Sequence, residues 1–448
     1  MSGALPDRPW TQVLAEEVRP LLEALAEAAR RRGTPAYVVG GAVRDWLLGR
    51  GPIREADIVV VGDARALAEE AATHVGGRVV AFERFGTVRL AARRLYVDVA
   101  TARVERYPAP GALPVPSPAR SIEEDLVRRD FSINAMAVPV AGDGRPLIDP
   151  CGGLQDLQSR RLRALHPRSF EDDPTRLFRG VRLAVRLGLA IDAQTAGWMQ
   201  QAIAARAVET VSAERRGQEV RRALSEQPAL PVAQAFERWG LWDAACPGWR
   251  LEPEAERVLA VLDEDAASFE ALLEALAGPS GSQHLWAVRL VAVAAPWLTG
   301  PPERVQQRVY RLVERLALTR ELRESLLQVP TVRRRQRRLA GARRPSTADR
   351  LLQDLSTLSR VYLAARGGPT SPDYNWVGWW ARVGRHVRPR LTGRDLLALG
   401  CPEGPAVGRM QRALRAAVLD GRVRSRAEEQ RWVRRLLQAW RRVSIDSP

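Results

Sequence analysis

The sequence predicts an α+β fold, with a small mixed α/β unit first and an all-helical remainder after it. Before residue 101, short runs of β-branched and apolar residues alternate with amphipathic helical patterns. Beyond Leu154 the strand-like runs stop, and from Pro174 to about Leu327 alanine, leucine and arginine recur at helical spacing. The 448 residues are enough for about three or four domains.

The elements of the α/β unit follow from local patterns. Residues 11–32 carry leucine and valine at helical spacing and predict an amphipathic helix that ends at a Gly-Thr-Pro turn. Helices are also predicted over residues 43–48 and 63–75. Apolar runs rich in β-branched residues predict strands at residues 36–39, 57–61, 78–83, 87–92 and 95–100. Residues 103–120 contain five prolines and no clear period, which predicts an irregular loop.

The chain is strongly basic. It has 69 basic and 52 acidic residues, a net charge of +17, and every basic residue is an arginine. The absence of lysine indicates a bias in codon composition, but that bias does not explain the excess of positive charge. A field of this sign attracts polyanions and speeds their association. Basic proteins of this kind typically bind nucleic acid.

Several classes of protein are not expected. The three cysteines lie far apart and the four histidines are scattered, so the sequence predicts neither a disulfide framework nor a zinc site. A catalytic metal would therefore need oxygen ligands. No apolar run approaches the roughly 18 residues that cross a bilayer. The first nine residues lack a signal-peptide pattern, and we expect a cytoplasmic protein without membrane contact.

Two glycines separate the first predicted strand from a helix. Gly40 and Gly41 leave backbone N–H groups bare at a helix start, where an anion can bind. Arg44 lies in the first turn of that helix and can clamp phosphate oxygens. A Gly-Gly turn before a helix is common in α/β domains, so this feature alone is a weak indication of phosphate binding.

Three carboxylates follow on predicted strands. Glu55 and Asp57 are two residues apart, so on a strand they point to the same face and can reach one divalent cation. Asp98 lies among apolar β-branched residues, where a carboxylate needs a partner. The alternative interpretation is that all three are exposed acids at strand ends. Three strand-borne carboxylates beside a phosphate-type turn are, however, what two-metal phosphoryl transfer requires.

With these residues in view, the chain resembles class II tRNA nucleotidyltransferases and bacterial poly(A) polymerases. The matching motifs, in chain order, are Gly40-Gly41-Ala42-Val43-Arg44-Asp45, Glu55-Ala56-Asp57, Asp98-Val99-Ala100, Arg128-Arg129-Asp130-Phe131-Ser132-Ile133-Asn134-Ala135, Asp172-Asp173-Pro174-Thr175-Arg176, Ser212-Ala213-Glu214-Arg215 and Thr392-Gly393-Arg394-Asp395. They are dense over residues 36–224 and sparse in the C-terminal part. One departure is Glu55, where the family has an aspartate, so that this ligand carries an extra methylene.

The resemblance implies a specific set of roles. A triphosphate would be held by Gly40, Gly41, Arg44 and Arg129. Mg²⁺ ions would bind to the catalytic carboxylates Glu55, Asp57 and Asp98. Substrates would be ATP, with CTP, and the 3′ end of tRNA in its acceptor arm. The implied domains are a nucleotidyltransferase head (1–165), a helical neck for nucleobase recognition (166–226), a helical body (227–330) and an RNA-binding helical tail (331–448). The oligomeric state is left open.

The neck motif offers a logic for base selection. Asp173 and Arg176 are three residues apart and are expected on one helix face, with an acceptor beside a donor. Cytosine and adenine both show an amino donor beside a ring-nitrogen acceptor, whereas uracil and guanine reverse these positions. Arg179 and Arg182 extend the row and could bind phosphate or brace Asp173. The plainer interpretation is that these residues only cap a helix with proline near its start.

Three functions stay open at this point. The expected one is addition of CCA, or of the terminal A, to tRNA; the length of the stretch from Arg103 to Arg128 argues against a CC-only enzyme. The second is poly(A) polymerase activity on general RNA ends, and the third is an inactive RNA-binding paralogue, suggested by Glu55. Arg333 to Arg344 holds seven arginines and no acid, and it is either a solvated helix face or linker, or a segment that contacts phosphate directly.

Overall fold

A computed structural model of the protein describes residues 6, 8–82, 86–92, 95–142 and 146–445. The chain forms two units: Met1–Glu219 with Arg238–Ala245, and Val220–Glu237 with Cys246–Pro448. A small mixed sheet lies in the first unit and helices make up the second, so the predicted α+β fold class is confirmed. The domain boundaries at 165, 226 and 330 stay predictions.

The first unit is built on a mixed sheet of six strands in the order β3-β4-β5-β2-β1-β8. Its strands are β1 (Ala36–Val39), β2 (Asp57–Val60), β3 (Arg78–Phe82), β4 (Thr87–Ala92), β5 (Leu95–Thr101) and β8 (Ala137–Pro139). β2 and β5 run parallel, and the other neighbours are antiparallel. The strands predicted from the sequence are present, and Glu83, at the end of the third, lies outside the described residues.

Helices cover this sheet and continue beyond it. They are α1 (Arg19–Arg32), α2 (Gly41–Leu47), α3 (Ala64–Val75), α4 (Ile122–Val127), α5 (Gly153–Gln158), α6 (Ser169–Asp172), α7 (Thr175–Leu187), α8 (Ala193–Ala204), α9 (Ala213–Leu224), α10 (Leu230–Arg238) and α11 (Leu241–Ala245). Capping residues explain both ends of α3. The side chain of Asp63 accepts a hydrogen bond from Ala66 N at the start of the helix, and Gly76, in the left-handed region, ends it. The predicted helix over 11–32 starts at Arg19, one residue before Pro20.

One sheet face carries the core that supports the site. Val59 shares a face with Asp57 because side chains alternate along a strand. Val59 packs in a buried cluster with Ile122 and Leu126 of α4. The residues that follow α4 are therefore brought over the start of β2, where Asp57 lies.

The predicted loop at 103–120 is instead a β-hairpin, so this expectation was wrong. β6 (Arg103–Arg106) pairs antiparallel with β7 (Val115–Pro118). Pro116 and Pro118 are two residues apart, and alternate positions of an antiparallel pair need no donor, so both prolines fit one edge strand. Short parallel strands β9 (Arg161–Leu162) and β10 (Ala190–Ile191) also extend beyond the point where strand signals stop.

The second unit is helical in its described part. Its helices beyond α10 are α12 (Pro253–Glu264), α13 (Ala266–Ala277), α14 (Leu285–Ala294), α15 (Pro302–Leu316), α16 (Arg320–Leu327), α17 (Val329–Ala340), α18 (Pro345–Leu352), α19 (Thr357–Gly367), α20 (Pro372–Arg382), α21 (Gly393–Ala398), α22 (Pro405–Leu419) and α23 (Arg426–Ile445). Leu396, Met410, Leu414 and Val433 lie in a buried cluster near its C-terminal end. In the part of the chain that is described, none of the helices combines the length and apolar character of a membrane span.

The arginines of the basic segment divide into two groups. Arg333 pairs with Glu254 at 2.6 Å, and Arg335 binds both carboxylate oxygens of Asp354. These two arginines therefore form ion pairs within the second unit. The exposed members are Arg334, Arg337, Arg338, Arg343 and Arg344. The segment is thus neither a linker nor uniformly solvated.

Candidate active site

A cavity of about 470 Å³ opens in the first unit beside the C-terminal end of β1, the start of β2 and the middle of β5. Gly40 and Gly41 form part of its wall at the start of α2. Gly40 has a φ of 70°, and a Cβ at this position would lie 3.2 Å from Arg129 Nη1. A side chain here would be strained and would push on that guanidinium, so glycine keeps the turn close to Arg129.

Two carboxylates face this cavity. Asp57 and Asp98 are register partners on the parallel strands β2 and β5, so their side chains share one face of the sheet. Asp98 accepts two hydrogen bonds from Arg89 on β4, at 2.7 and 2.9 Å. Among the described residues, nothing donates a hydrogen bond to the carboxylate of Asp57 or pairs with it. Asp57 is therefore the carboxylate with its oxygens available.

The surroundings act on the ionisation of Asp57 in opposite directions. Desolvation is the largest effect and raises the pKa of Asp57, and the neighbouring charges of Asp98 and Glu55 raise it further. Arg129 and Arg179 lower it but do not reverse the shift. A cation beside Asp57 would favour its charged form and so oppose this rise in pKa.

Glu55 is not brought into the wall of the cavity. β2 begins at Asp57, so Glu55 lies in the preceding loop, where strand alternation does not set its direction. In the described part of the chain, no three carboxylate, histidine or cysteine side chains are grouped closely enough to bind one ion together. The structure thus joins two of the three predicted carboxylates, not all three.

A fully buried carboxylate organises the arginines above the sheet. Asp125 on α4 pairs with Arg128 at 2.6 Å and with Arg129 at 2.9 Å, and it accepts from the backbone N–H of Arg103. Burial raises the pKa of Asp125, but the guanidinium groups of Arg129 and Arg128 outweigh this and leave it below its ordinary value. Asp125 therefore stays ionised and fixes two arginines of the cavity wall.

Arg44 has a different setting from the one expected. Its side chain is buried, binds Asp45 at 2.9 and 3.0 Å, and donates to Asn134 Oδ1 at 2.7 Å. Asn134 in turn donates to Asp130, which pairs with Arg179 at 2.7 Å. The structure does not place Arg44 in the cavity wall; it anchors a chain of polar contacts that ends at Arg179.

The two base-selection residues do meet at the cavity, but not on one helix. Asp173 precedes α7 in an extended conformation, and α7 begins at Thr175. Asp173 Oδ1 accepts from the backbone N–H and the hydroxyl of Thr175, so its side chain closes the turn that leads into α7, one residue before the N-cap Pro174. Arg176 is buried and donates to Ser169 at 2.7 Å. Asp173, Arg176 and Arg179 line the cavity, whereas Arg182 does not.

Sequence reasoning missed the brace of Asp173. In the described structure the carboxylate of Asp173 makes no hydrogen bond or ion pair with Arg179 or Arg182, although its charge helps to raise the pKa of Arg179. Arg215 of α9 pairs with Asp173 at 2.7 Å. Arg215 is 42 residues further along the chain, and only its place in the matched motif could have drawn attention to it. Tyr107 of the hairpin also lines the cavity, and burial raises its pKa to about 12.

This geometry defines a class of protein: a nucleotidyltransferase head followed by helices. The sequence model of the Poly A polymerase head domain matches residues 36–163, which contain both carboxylates and the glycine turn. The chain is 33% identical to the CC-adding tRNA nucleotidyltransferase of Deinococcus radiodurans, covering 93% of each protein. It is 31% identical to the A-adding tRNA nucleotidyltransferase of Halalkalibacterium halodurans, covering 86% of this chain and 84% of that one. The chain belongs to the tRNA nucleotidyltransferase family.

Other relatives are longer, and solved structures share the fold. The chain is 32% identical to the A-adding tRNA nucleotidyltransferase of Geobacter sulfurreducens over 93% of its own length, but it spans only 47% of that protein. It spans 26% of a similar A-adding enzyme of Aquifex aeolicus. A CCA-adding enzyme in its apo form II is 25% identical, with a TM-score of 0.77, covering 94% of this chain and 96% of that one.

Membership of the family implies dependence on a divalent metal ion. Asp57 and Asp98 fit such an ion because they offer hard oxygen donors from neighbouring strands, with Asp57 otherwise unpaired in the described structure. Glu55 fits less well, since it lies outside the cavity wall.

Proposed function

We propose that the protein is an enzyme that adds nucleotides, C and A or A alone, to the 3′ end of tRNA and releases pyrophosphate. The observation that carries this proposal is a single cavity lined by Asp57, Asp98, the glycine turn and the pair Asp173 and Arg176. The relatives named above act on tRNA, and a CCA-adding enzyme complexed with ATP is 25% identical, with a TM-score of 0.75 and 95% of this chain covered.

The chemistry assigned to the chain is positioning and electrostatics. Gly40, Gly41 and Arg129 hold the triphosphate, with Asp125 fixing Arg129 in place. Asp57 and Asp98 hold Mg²⁺, with Glu55 close enough to influence the charge of Asp57. When bound there, Mg²⁺ supplies charge neutralisation at the α-phosphate and activation of the RNA 3′-hydroxyl. No side-chain nucleophile is required.

Nucleotide choice is assigned to Asp173 and Arg176. An acceptor beside a donor matches the Watson–Crick edges of cytosine and adenine, whereas guanine and uracil would leave buried polar groups unpaired. Sites that reject a ligand in this way can discriminate by roughly 10⁴-fold. We propose that the substrates are ATP, CTP and tRNA and that the reaction takes place in the cytoplasm.

The length of the product distinguishes this function from its main alternative. With a tRNA that lacks its 3′ end, we expect addition of one to three nucleotides and then a stop. Three tRNA substrates, which end before the first C, after one C and after CC, are each incubated with one nucleotide at a time. Gel electrophoresis of the products then identifies which additions occur. A long adenylate tail on general RNA ends would instead establish a poly(A) polymerase. No incorporation from labelled ATP or CTP with Mg²⁺ would indicate an inactive RNA-binding protein.

The exposed arginines of α17 are expected to bind RNA phosphates. Arg334, Arg337 and Arg338 lie three and four residues apart and so share a helix face. Replacing all three by glutamine should raise the KM for tRNA about tenfold and reduce the salt slope of binding by about 3, since about one phosphate contact is lost per residue. The KM for ATP should not change.

The matched control removes the same charge elsewhere. Replacing Arg30, Arg31 and Arg32 at the end of α1 by glutamine lowers the net charge equally, and these side chains are exposed. If both triple variants weaken tRNA binding to the same extent, the effect is one of overall charge and α17 has no specific contact.

A further inference from the structure

Three charged residues form a row across neighbouring strands of the six-stranded sheet. Asp57 on β2 is the register partner of Asp98 on β5, and Asp98 is in turn the register partner of Arg89 on β4. Register partners point to the same face of a sheet, and neighbouring strands lie only about 4.8 Å apart. Asp98 therefore has a carboxylate on one side and a guanidinium on the other.

Arg89 binds both carboxylate oxygens of Asp98. Its Nε donates to Oδ1 at 2.7 Å, and its Nη2 donates to Oδ2 at 2.9 Å. Bidentate contacts of this kind add geometric specificity, and charge-assisted hydrogen bonds are roughly twice as strong as neutral ones. Asp98 can bind a divalent cation only if Arg89 withdraws or if two positive groups lie side by side, which is unfavourable.

A second contact holds Arg89 beside the same strand. The guanidinium carbon of Arg89 lies 3.9 Å from the centre of the Tyr96 ring, within the range of a cation–π contact. Tyr96 is two residues before Asp98 on β5, so it points to the same face of the sheet, and it is 46% exposed. The ring thus offers Arg89 a partner that persists when its hydrogen bonds to Asp98 are broken.

Asp57 differs from Asp98 in this respect. Within the described ranges, no side chain pairs with the Asp57 carboxylate, and Arg129 and Arg179 act on its charge without a hydrogen bond to it. The charge of Asp98, in contrast, is offset by a guanidinium in direct contact. The two carboxylates that share the cavity wall are therefore unequal, and Arg89 is the cause.

We propose that Arg89 competes with the divalent cation for Asp98 and thereby keeps the affinity of the protein for the cation alone low. The inference rests on the proposed function, in which Asp57 and Asp98 hold Mg²⁺, and deepens it. While Arg89 binds Asp98, Asp57 is the uncompensated member of the pair. A nucleoside triphosphate carries enough negative charge to offset the guanidinium, so the protein favours a cation that arrives with the nucleotide.

The test measures binding of Mn²⁺ alone to the full chain, without nucleotide or tRNA. Mn²⁺ prefers the same oxygen ligands as Mg²⁺, and the electron paramagnetic resonance signal of unbound Mn²⁺ reports how much is bound. In Arg89→Ala the Kd for Mn²⁺ is expected to fall at least about tenfold, which corresponds to about 1.4 kcal/mol. Arg89→Lys keeps the charge but not the planar fork, so the fall should be smaller. Adding Asp98→Asn to Arg89→Ala should abolish the gain, because the released carboxylate is then lost.

The matched control is Arg78→Ala. Arg78 is an exposed arginine of β3, the register partner of Ala91, and its strand lies two places from that of Asp98 in the sheet. Its removal lowers the net charge equally and should leave the Kd for Mn²⁺ unchanged. Circular dichroism with thermal melting should show that all variants are folded. An equal gain in Arg78→Ala would make the effect one of overall charge and would overturn the inference.

The sign of the change in Arg89→Ala decides between two roles for this arginine. Weaker binding of Mn²⁺ would show that Arg89 instead orients Asp98 for the cation, and unchanged or undetectable binding would show that Arg89 does not compete with it. Either result overturns the inference, as does a gain that survives Asp98→Asn. Failure of the proposed function is separate, since it appears as absent incorporation of labelled ATP or CTP, whereas this measurement contains no nucleotide.

Discussion

Replacing Asp57 by alanine is expected to abolish nucleotide addition, with kcat reduced at least about a thousandfold, or about 4 kcal/mol at 1.36 kcal/mol per tenfold. Asp57 is the cavity carboxylate without a described protein partner, and its register partner Asp98 is held by Arg89. Loss of the available ligand removes the charge that would bind Mg²⁺ at the reacting phosphate. Incorporation of labelled ATP into tRNA at saturating Mg²⁺ measures the effect.

Comparison with Glu55 makes this test decisive. Glu55→Gln should reduce kcat much less than Asp57→Ala, by about tenfold or less, because Glu55 lies outside the cavity wall and acts at a distance. Glu69→Gln is the matched control, since Glu69 is an exposed acid of α3 that pairs with Arg65. Equal losses for Asp57 and Glu55 would show that the three carboxylates gather around the metal during the reaction. Near-normal activity of Asp57→Ala would remove the proposed metal site.

The parts of the fold that local patterns determine were predictable. β-branched runs located strands β1 to β5, and the Gly-Gly turn located the start of α2. Asp57 and Asp98 become register partners because the strand order places β2 beside β5. Local sequence patterns do not predict this strand order. The sequence nevertheless indicates both acids, Asp98 because a carboxylate within an apolar strand is unfavourable without a partner and Asp57 because it lies two residues from Glu55.

The remaining contacts depend on distant parts of the chain. Arg44 was expected at the phosphates because it follows the glycines, but Asn134, 90 residues away, accepts from it instead. The five prolines predict a loop after β5 because proline disfavours strands on average, but Pro116 and Pro118 fit alternate positions of an edge strand. Arg215 reaches Asp173 and Gly111 across 42 and 104 residues. Such contacts are fixed by tertiary packing, and a single sequence carries no record of them.

Replacing Asp173 by alanine is expected to relax base choice while nucleotide transfer survives. Asp173 and Arg176 are the acceptor and donor that line the cavity, and removing the acceptor leaves only one of the two groups that guanine or uracil would oppose. The preference for ATP and CTP over GTP and UTP, which such a site can bring to roughly 10⁴-fold, should then fall by about 10²-fold or more. Because Asp57 and Asp98 are untouched, kcat for ATP should fall far less than in Asp57→Ala. Measuring kcat/KM for all four nucleotides gives both quantities.

The neighbouring acid provides a close control. Glu171 is two residues from Asp173, its side chain is 62% exposed, and only its backbone carbonyl contacts the hairpin tip. Glu171→Gln should therefore keep the selectivity of the unaltered protein. An Asp173→Ala variant that still prefers ATP and CTP to the same degree would contradict selection by this side chain, and Asp173 would then serve only to cap α7. A variant equally impaired with all four nucleotides would point to a structural role, because a residue that reads the base must affect the nucleotides unequally.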